Sequence, residues 1–176
     1  GHGLNSAVVM GRVRSALRAY ALLGGSAAQV LELTDRKVHH FEMGTMTTVL
    51  CAVSRPPYER FEIATAGHPA PVLARPGDDA EIIEVDTNPP LGSVPGLSRT
   101  SVTIDMPLGA VLLLYTDGLV EDRDSPITDG MQRLRQVVRA DHPEVTCRTT
   151  MARMVGTRIP DDDIALLAMR RVAVPE

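Results

Sequence analysis

Two segments constrain the fold more than any other part of the sequence. Residues 111–116 (VLLLYT) and 164–169 (IALLAM) are apolar at nearly every position, so neither segment has a face to give to water. Their length suits strands, and apolarity on both faces fits strands buried between two layers. The first runs straight into Asp117-Gly118, and Asp161-Asp162-Asp163 immediately precedes the second. As antiparallel neighbours, they would set the C-terminal end of one beside the start of the other. Several carboxylates would then converge at one sheet edge.

A hard divalent cation such as Mg²⁺ or Mn²⁺ wants that arrangement, because it prefers anionic oxygens and keeps the rest of its shell as water. A paired-metal site would also lower the pKa of a bridging water and clamp a phosphoryl oxygen. Asp-Gly after an apolar run is equally a common turn signal, and an Asp triplet before a strand also serves as a solvated cap. The spacing alone does not choose between these readings.

The rest of the chain supplies the layers. Val9, Val13, Ala16, Leu17 and Tyr20 fall on one helical face, with Arg12, Arg14 and Arg18 largely away from it. Gly24-Gly25 ends that helix. Ser26 with Gln29 reads as a capping box, and Ala27, Val30, Leu31, Thr34 and Val38 form a second apolar stripe. From about Met46 the period changes from 3.6 to 2. Strands are expected over 47–53 and over 60–65, the latter alternating with Phe61, Ile63 and Thr65 on one face. Short strands are expected around 72–74, 81–85 and 101–104, and helices over 131–140 and 145–157. This order describes an α+β domain with an antiparallel sheet core and helices outside.

Composition narrows the function classes. The 176 residues suit one domain, and a net charge of −4 with scattered arginines argues against nucleic acid or anionic lipid as the main partner. Two cysteines, Cys51 and Cys147, are too few for a disulfide framework and favour a reducing compartment, hence a cytoplasmic location. The apolar runs are far too short to span a membrane. Of the histidines, His68 sits in a loop between two strands, and His2 lies between two glycines before a helix. His39-His40 at a helix end are expected to interact with its dipole rather than bind metal.

Five runs, taken in order, resemble the stage II sporulation protein E-like (SpoIIE-like) branch of the PPM-type phosphatases. They are Gly1-His2-Gly3-Leu4 before an Ala/Met/Arg helix, Ala64-Thr65-Ala66-Gly67-His68-Pro69-Ala70-Pro71, Asn88-Pro89-Pro90-Leu91-Gly92, the stretch 109–121 around Asp117-Gly118, and Asp161-Asp162-Asp163-Ile164-Ala165-Leu166-Leu167. The resemblance implies a four-layer α/β/β/α sandwich of two antiparallel sheets flanked by helices. It also implies a two-metal centre with Mn²⁺ or Mg²⁺, and direct attack of activated water on phosphoserine or phosphothreonine. By position, Asp117 resembles the ligand of the Asp-Gly motif and Asp162 the ligand before the last strand, with Asp163 its neighbour.

The substrate implied is a phosphorylated anti-anti-sigma factor in a partner-switching pathway, with sensory domains upstream in the longer chain. The family's Asp-Val-x before Gly-His-Gly would lie ahead of Gly1. Residues 1–176 are therefore expected to be a single phosphatase domain lacking its first strands and first metal-binding Asp, inactive alone and open to self-association through an exposed sheet edge. A non-catalytic, phosphatase-like binding module is the competing expectation. Retention of both Asp117 and Asp162 favours the enzyme.

Overall fold

The computed structural model describes residues 4–122, 125–157 and 162–173. In chain order the elements are α1 (Leu4–Leu22), α2 (Ala27–Phe41), β1 (Val49–Ser54), β2 (Arg60–Ala66), β3 (Val72–Ala74), β4 (Glu81–Ile82), β5 (Val102–Asp105) and β6 (Val111–Tyr115). A 3-10 turn over Asp117–Leu119, α3 (Ile127–Val137), α4 (Pro143–Met154) and β7 (Leu166–Arg170) follow. The strands form two antiparallel sheets, ordered β1-β2-β5 and β4-β3-β6-β7, and the chain gathers into two compact units around them. The α+β class read from the sequence is the one observed.

In the first unit, α1 and α2 cover one face of the three-stranded sheet. Val13 and Ala16 of α1 are buried, as the periodicity requires. The capping box forms: Ser26 Oγ accepts from Gln29 N at 3.1 Å, and Gln29 Oε1 accepts from Ser26 N at 2.9 Å. The whole expected stripe of α2 is buried, and Ala27, Leu31 and Val38 pack with Val49 of β1 and Ala64 and Ala66 of β2. The strict alternation expected of β2 does not hold. Ile63, Ala64, Thr65 and Ala66 are all buried, because both faces of its C-terminal half are covered.

Asp35, one turn beyond Leu31, is buried on the same side of α2 and is ionically paired. Its Oδ2 accepts from Arg99 Nη2 at 2.8 Å and its Oδ1 from Gly92 N at 2.7 Å. Arg99 in turn donates from Nη1 to Pro89 O at 3.0 Å and from its backbone N to Glu32 Oε1 at 2.8 Å. Leu91 is fully buried and exchanges two backbone hydrogen bonds with Thr47. Gly92 has φ of +82°, and a Cβ there would fall 2.0 Å from the Thr45 carbonyl oxygen, so only glycine fits. The Asn88–Gly92 run is thus a buckle fastening a long irregular segment to α2.

In the second unit β3 lies between β4 and β6. Val72, Leu73 and Ala74 are fully buried, as are Val111, Leu112 and Leu113 of β6, in keeping with apolarity on both faces. Tyr115 closes β6. Its hydroxyl donates to Ala70 O at 2.9 Å, and burial pushes its pKa upward. Leu134 of α3 and Val138 just after it pack against Leu113 and Tyr115. Both helices begin before the positions expected, α3 at Ile127 and α4 at Pro143, because their first turns lack an inward apolar stripe. Pro143 at the first turn needs no donor there.

The last strand departs from expectation. β7 occupies the edge of its sheet, with β6 as its sheet neighbour, and none of its residues is fully buried; Leu167 is 55% exposed. The apolar run reported strand character correctly, but the burial expected of it on both faces does not hold. The strand expected over 81–85 is likewise reduced to Glu81–Ile82. No described helix is long and apolar enough to cross a membrane.

These contacts have consequences that can be measured. Asp35→Ala leaves Arg99 buried without its counter-charge and is expected to cost about 3–5 kcal/mol in urea unfolding. Thr150→Val, which replaces a buried hydroxyl that has no hydrogen-bond partner, is expected to be neutral or stabilising by up to about 1 kcal/mol. Cys51 on β1 has its thiol pushed up from its ordinary 9.0 to about 11, first by burial and then by the Glu62 carboxylate. The folded state therefore holds that proton more tightly. The resulting stabilisation is fully present below pH 9.0 and is lost as pH rises through about 11. Iodoacetamide is expected to leave Cys51 unmodified near neutral pH in the folded chain and to react once urea unfolds it.

Candidate metal centre

The β6–β7 ladder builds the site. Its register pairs Tyr115 with Leu166, so the end of one strand meets the beginning of the other. Thr116 carries the pairing one step further. Its N donates to Ala165 O at 3.1 Å, its Oγ1 donates to Asp163 O at 3.0 Å, and the same Oγ1 accepts from Ala165 N at 2.9 Å. A threonine side chain thus replaces the ladder bonds that the departing backbone no longer supplies. Asp117 and Asp162-Asp163 are brought to one end of one sheet.

Gly118 makes this approach possible. A Cβ on it would sit 2.9 Å from the Asp163 carbonyl oxygen and 3.0 Å from that of Asp162. The glycine of the Asp-Gly pair is required for the close passage of the two segments. Beyond it the chain enters the 3-10 turn, with Val120 N and Glu121 N donating to Asp117 O at 2.9 and 2.8 Å. Asp117 is half-buried, and its Oδ1 accepts from Gly118 N at 3.0 Å; Asp162 is exposed, and its Oδ1 accepts from Asp163 N at 2.8 Å. Each carboxylate is steadied by the next backbone N–H.

These donors are hard oxygens, and one or two carboxylates completed by water are a normal set for Mg²⁺ or Mn²⁺. The chemistry of the pair fits a divalent cation. Among the described residues no group of three or more His, Cys, Asp or Glu side chains gathers closely enough to form a full cage. Asp161 of the triplet, and His2 with its flanking glycines, lie outside the described residues.

The other candidates go elsewhere. His39 Nε2 lies 3.5 Å from Asp35 Oδ1 at the end of α2, in keeping with a helix-end role. His68 follows β2 in the first unit and is half-buried. Cys51 and Cys147 are free thiols on β1 and α4. Thr116 was passed over in the sequence because a threonine at a strand end carries no chemical signal of its own. Gly118→Ala is expected to force the two segments apart and to lower the melting temperature by several degrees, a loss of about 1–3 kcal/mol.

Comparisons with known proteins agree with this geometry. The family model described as stage II sporulation protein E (SpoIIE) matches residues 1–172. The phosphoserine phosphatase RsbP of Bacillus subtilis is 25% identical over 152 residues, which is 76% of this chain and 38% of RsbP. The crystal structure of the RsbU and RsbW domains of a Mycobacterium tuberculosis protein superposes with a TM-score of 0.84 at 28% identity, covering 99% of this chain and 50% of that one. The phosphatase domain of the Bacillus subtilis cell fate determinant SpoIIE, presoaked with Mn, superposes with a TM-score of 0.61 at 12% identity, covering 100% of this chain and 76% of that one. The chain therefore spans half or less of the first two relatives. With nearly its whole length matched by one family model, the chain belongs to the stage II sporulation protein E family.

Proposed function

We propose that the intact domain to which this chain belongs works as a metal-dependent protein serine/threonine phosphatase, with Asp117 and Asp162 as metal ligands and Asp163 beside them, and that residues 1–176 alone are inactive. The observation that carries the reading is the meeting of Asp117 with Asp162-Asp163 at the joined ends of β6 and β7. Membership of a family whose relatives include a phosphoserine phosphatase supports the chemistry. The superposition on a phosphatase domain presoaked with Mn supports the choice of Mn²⁺ or Mg²⁺. A cation bound there would supply positive charge to the phosphoryl oxygens and acidify water.

The chain's own residues have a positioning task. Gly118 N–H and Asp163 N–H orient one oxygen each of Asp117 and Asp162. Thr116 ties the two acidic segments so that neither moves without the other. Asp117 is partly shielded by the turn that follows, so its charge is screened less by water than that of an exposed carboxylate.

The substrate in this reading is a phosphorylated anti-anti-sigma factor-like protein, acted on in the cytoplasm within partner-switching regulation. The RsbU and RsbW domains in the matching Mycobacterium tuberculosis structure support that placement. Phosphate release from a phosphoserine peptide by a chain extended upstream of Gly1 through the Asp-Val-x segment is expected to require Mn²⁺ and to stop with EDTA. Asp117→Asn is expected to lower it by at least about 100-fold. Mn²⁺ binding followed by electron paramagnetic resonance gives a readout independent of turnover, and the same variant should weaken it. Metal binding without turnover would instead point to a non-catalytic binding module, and undiminished turnover in Asp117→Asn would sink the site assignment.

A further inference from the structure

We infer that Gly130, in the first turn of α3, is a positioning residue for Asp117, and that the α3 backbone is the backstop of the turn that carries this metal ligand. The inference deepens the phosphatase reading and rests on Asp117 being a ligand. Gly130 stands where the helix has no conformational need of glycine. It lies within α3 and has no positive φ, so any L residue could adopt its backbone, and alanine would serve the helix better. Gly11, within α1, has open space where a Cβ would stand. At Gly130 a Cβ would fall 1.9 Å from the Val120 carbonyl oxygen and 2.8 Å from the carbonyl carbon. Contact with Val120 is therefore what requires the glycine.

That contact matters because of what Val120 holds. Val120 N donates to Asp117 O at 2.9 Å, and Glu121 N donates to the same oxygen at 2.8 Å, which closes the turn around Asp117. Leu119 and Val120 are buried in one apolar cluster with Leu134 of α3 and Val138 just after it. The turn is thus gripped by main chain twice. Gly118 meets the Asp162 and Asp163 carbonyls, and Val120 meets Gly130.

Neither grip includes a side chain that could rotate aside. A Cβ at position 130 has to move α3 or the turn by more than about 1 Å to reach ordinary contact. The Val120–Asp117 and Glu121–Asp117 hydrogen bonds pass that movement to the ligand. Groups that orient a metal ligand from behind are commonly worth about 10- to 100-fold in metal affinity. Gly130 acts in this way through Val120, without touching the cation or the substrate.

The test uses the chain extended upstream of Gly1 through the Asp-Val-x segment. In Gly130→Ala, Mn²⁺ affinity by electron paramagnetic resonance is expected to fall at least about tenfold. Amide hydrogen exchange needs no metal, and in the same variant Val120 and Glu121 should lose far more protection than Leu112 and Leu113 of β6. Val138→Ala is the control, because it destabilises the far end of the same helix and is expected to leave Mn²⁺ affinity unchanged. Equal weakening in both variants would make Gly130 merely structural and overturn the inference. So would wild-type affinity, or unaltered protection at Val120 and Glu121, in Gly130→Ala. Should that variant not fold, the wild type decides by nuclear magnetic resonance: Mg²⁺ is expected to shift the amide signals of Gly130 and Met131 together with that of Gly118. A response at Gly118 alone would overturn the inference. A wild type that binds neither cation would overturn the metal reading itself, and the inference with it.

Discussion

The pairing of β6 with β7, prolonged by the Thr116 side chain, is the interaction on which the candidate site depends. Backbone ladders stop where the chain must turn, and the acids of this site lie just past that point. Thr116 Oγ1 takes the Ala165 N–H and gives its proton to the Asp163 carbonyl, so two otherwise unpaired backbone groups are satisfied by one hydroxyl. A Cβ at position 118 would bar the approach, and Gly118 has none. The two acidic segments come together as a consequence of main-chain bonding, and their carboxylates need no attraction for one another. That matters because like charges held close disfavour the arrangement until a cation joins them.

The first unit uses a different device for a similar problem. A segment of about 20 residues between β4 and β5 has almost no regular structure of its own and must be fastened at points. Asp35 and Arg99 do this from the interior, and Arg99 makes contacts with the 88–92 run and with Glu32 at once. A buried ion pair gives little net stability compared with apolar packing, but breaking it is expensive. Its contribution is specificity of position for the loop. Pro89, Leu91 and Gly92 each answer to one of these fastenings, which gives the Asn-Pro-Pro-Leu-Gly run a physical reason for its composition.

The two opening helices divide their faces differently. α2 buries its apolar stripe and turns polar side chains outward, the ordinary division for a helix lying on a sheet. α1 shares the same unit but keeps apolar side chains on its outer face. The difference lies in residue placement alone, since both helices pack on the same core.

Much of this was legible in the residues. Periodicity located both opening helices, the capping box, the burial of β6 and the α+β class. Five ordered runs pointed to the family. Those features are local, set by backbone period, capping chemistry and side-chain type within a few positions. What only the tertiary structure decided is everything that depends on which segments become neighbours. An apolar run reads the same at the centre or the edge of a sheet, so the exposure of Leu167 in β7 could not be foreseen. Nothing local marks Asp35, whose partner Arg99 lies 64 positions away. The acids of Asp117-Gly118 and Asp162-Asp163 were equally compatible with two unrelated turns. Antiparallel register and the absence of a Cβ at Gly118 bring them to one end of one sheet, because hydrogen-bond geometry and contact distance act between segments that sequence order keeps apart.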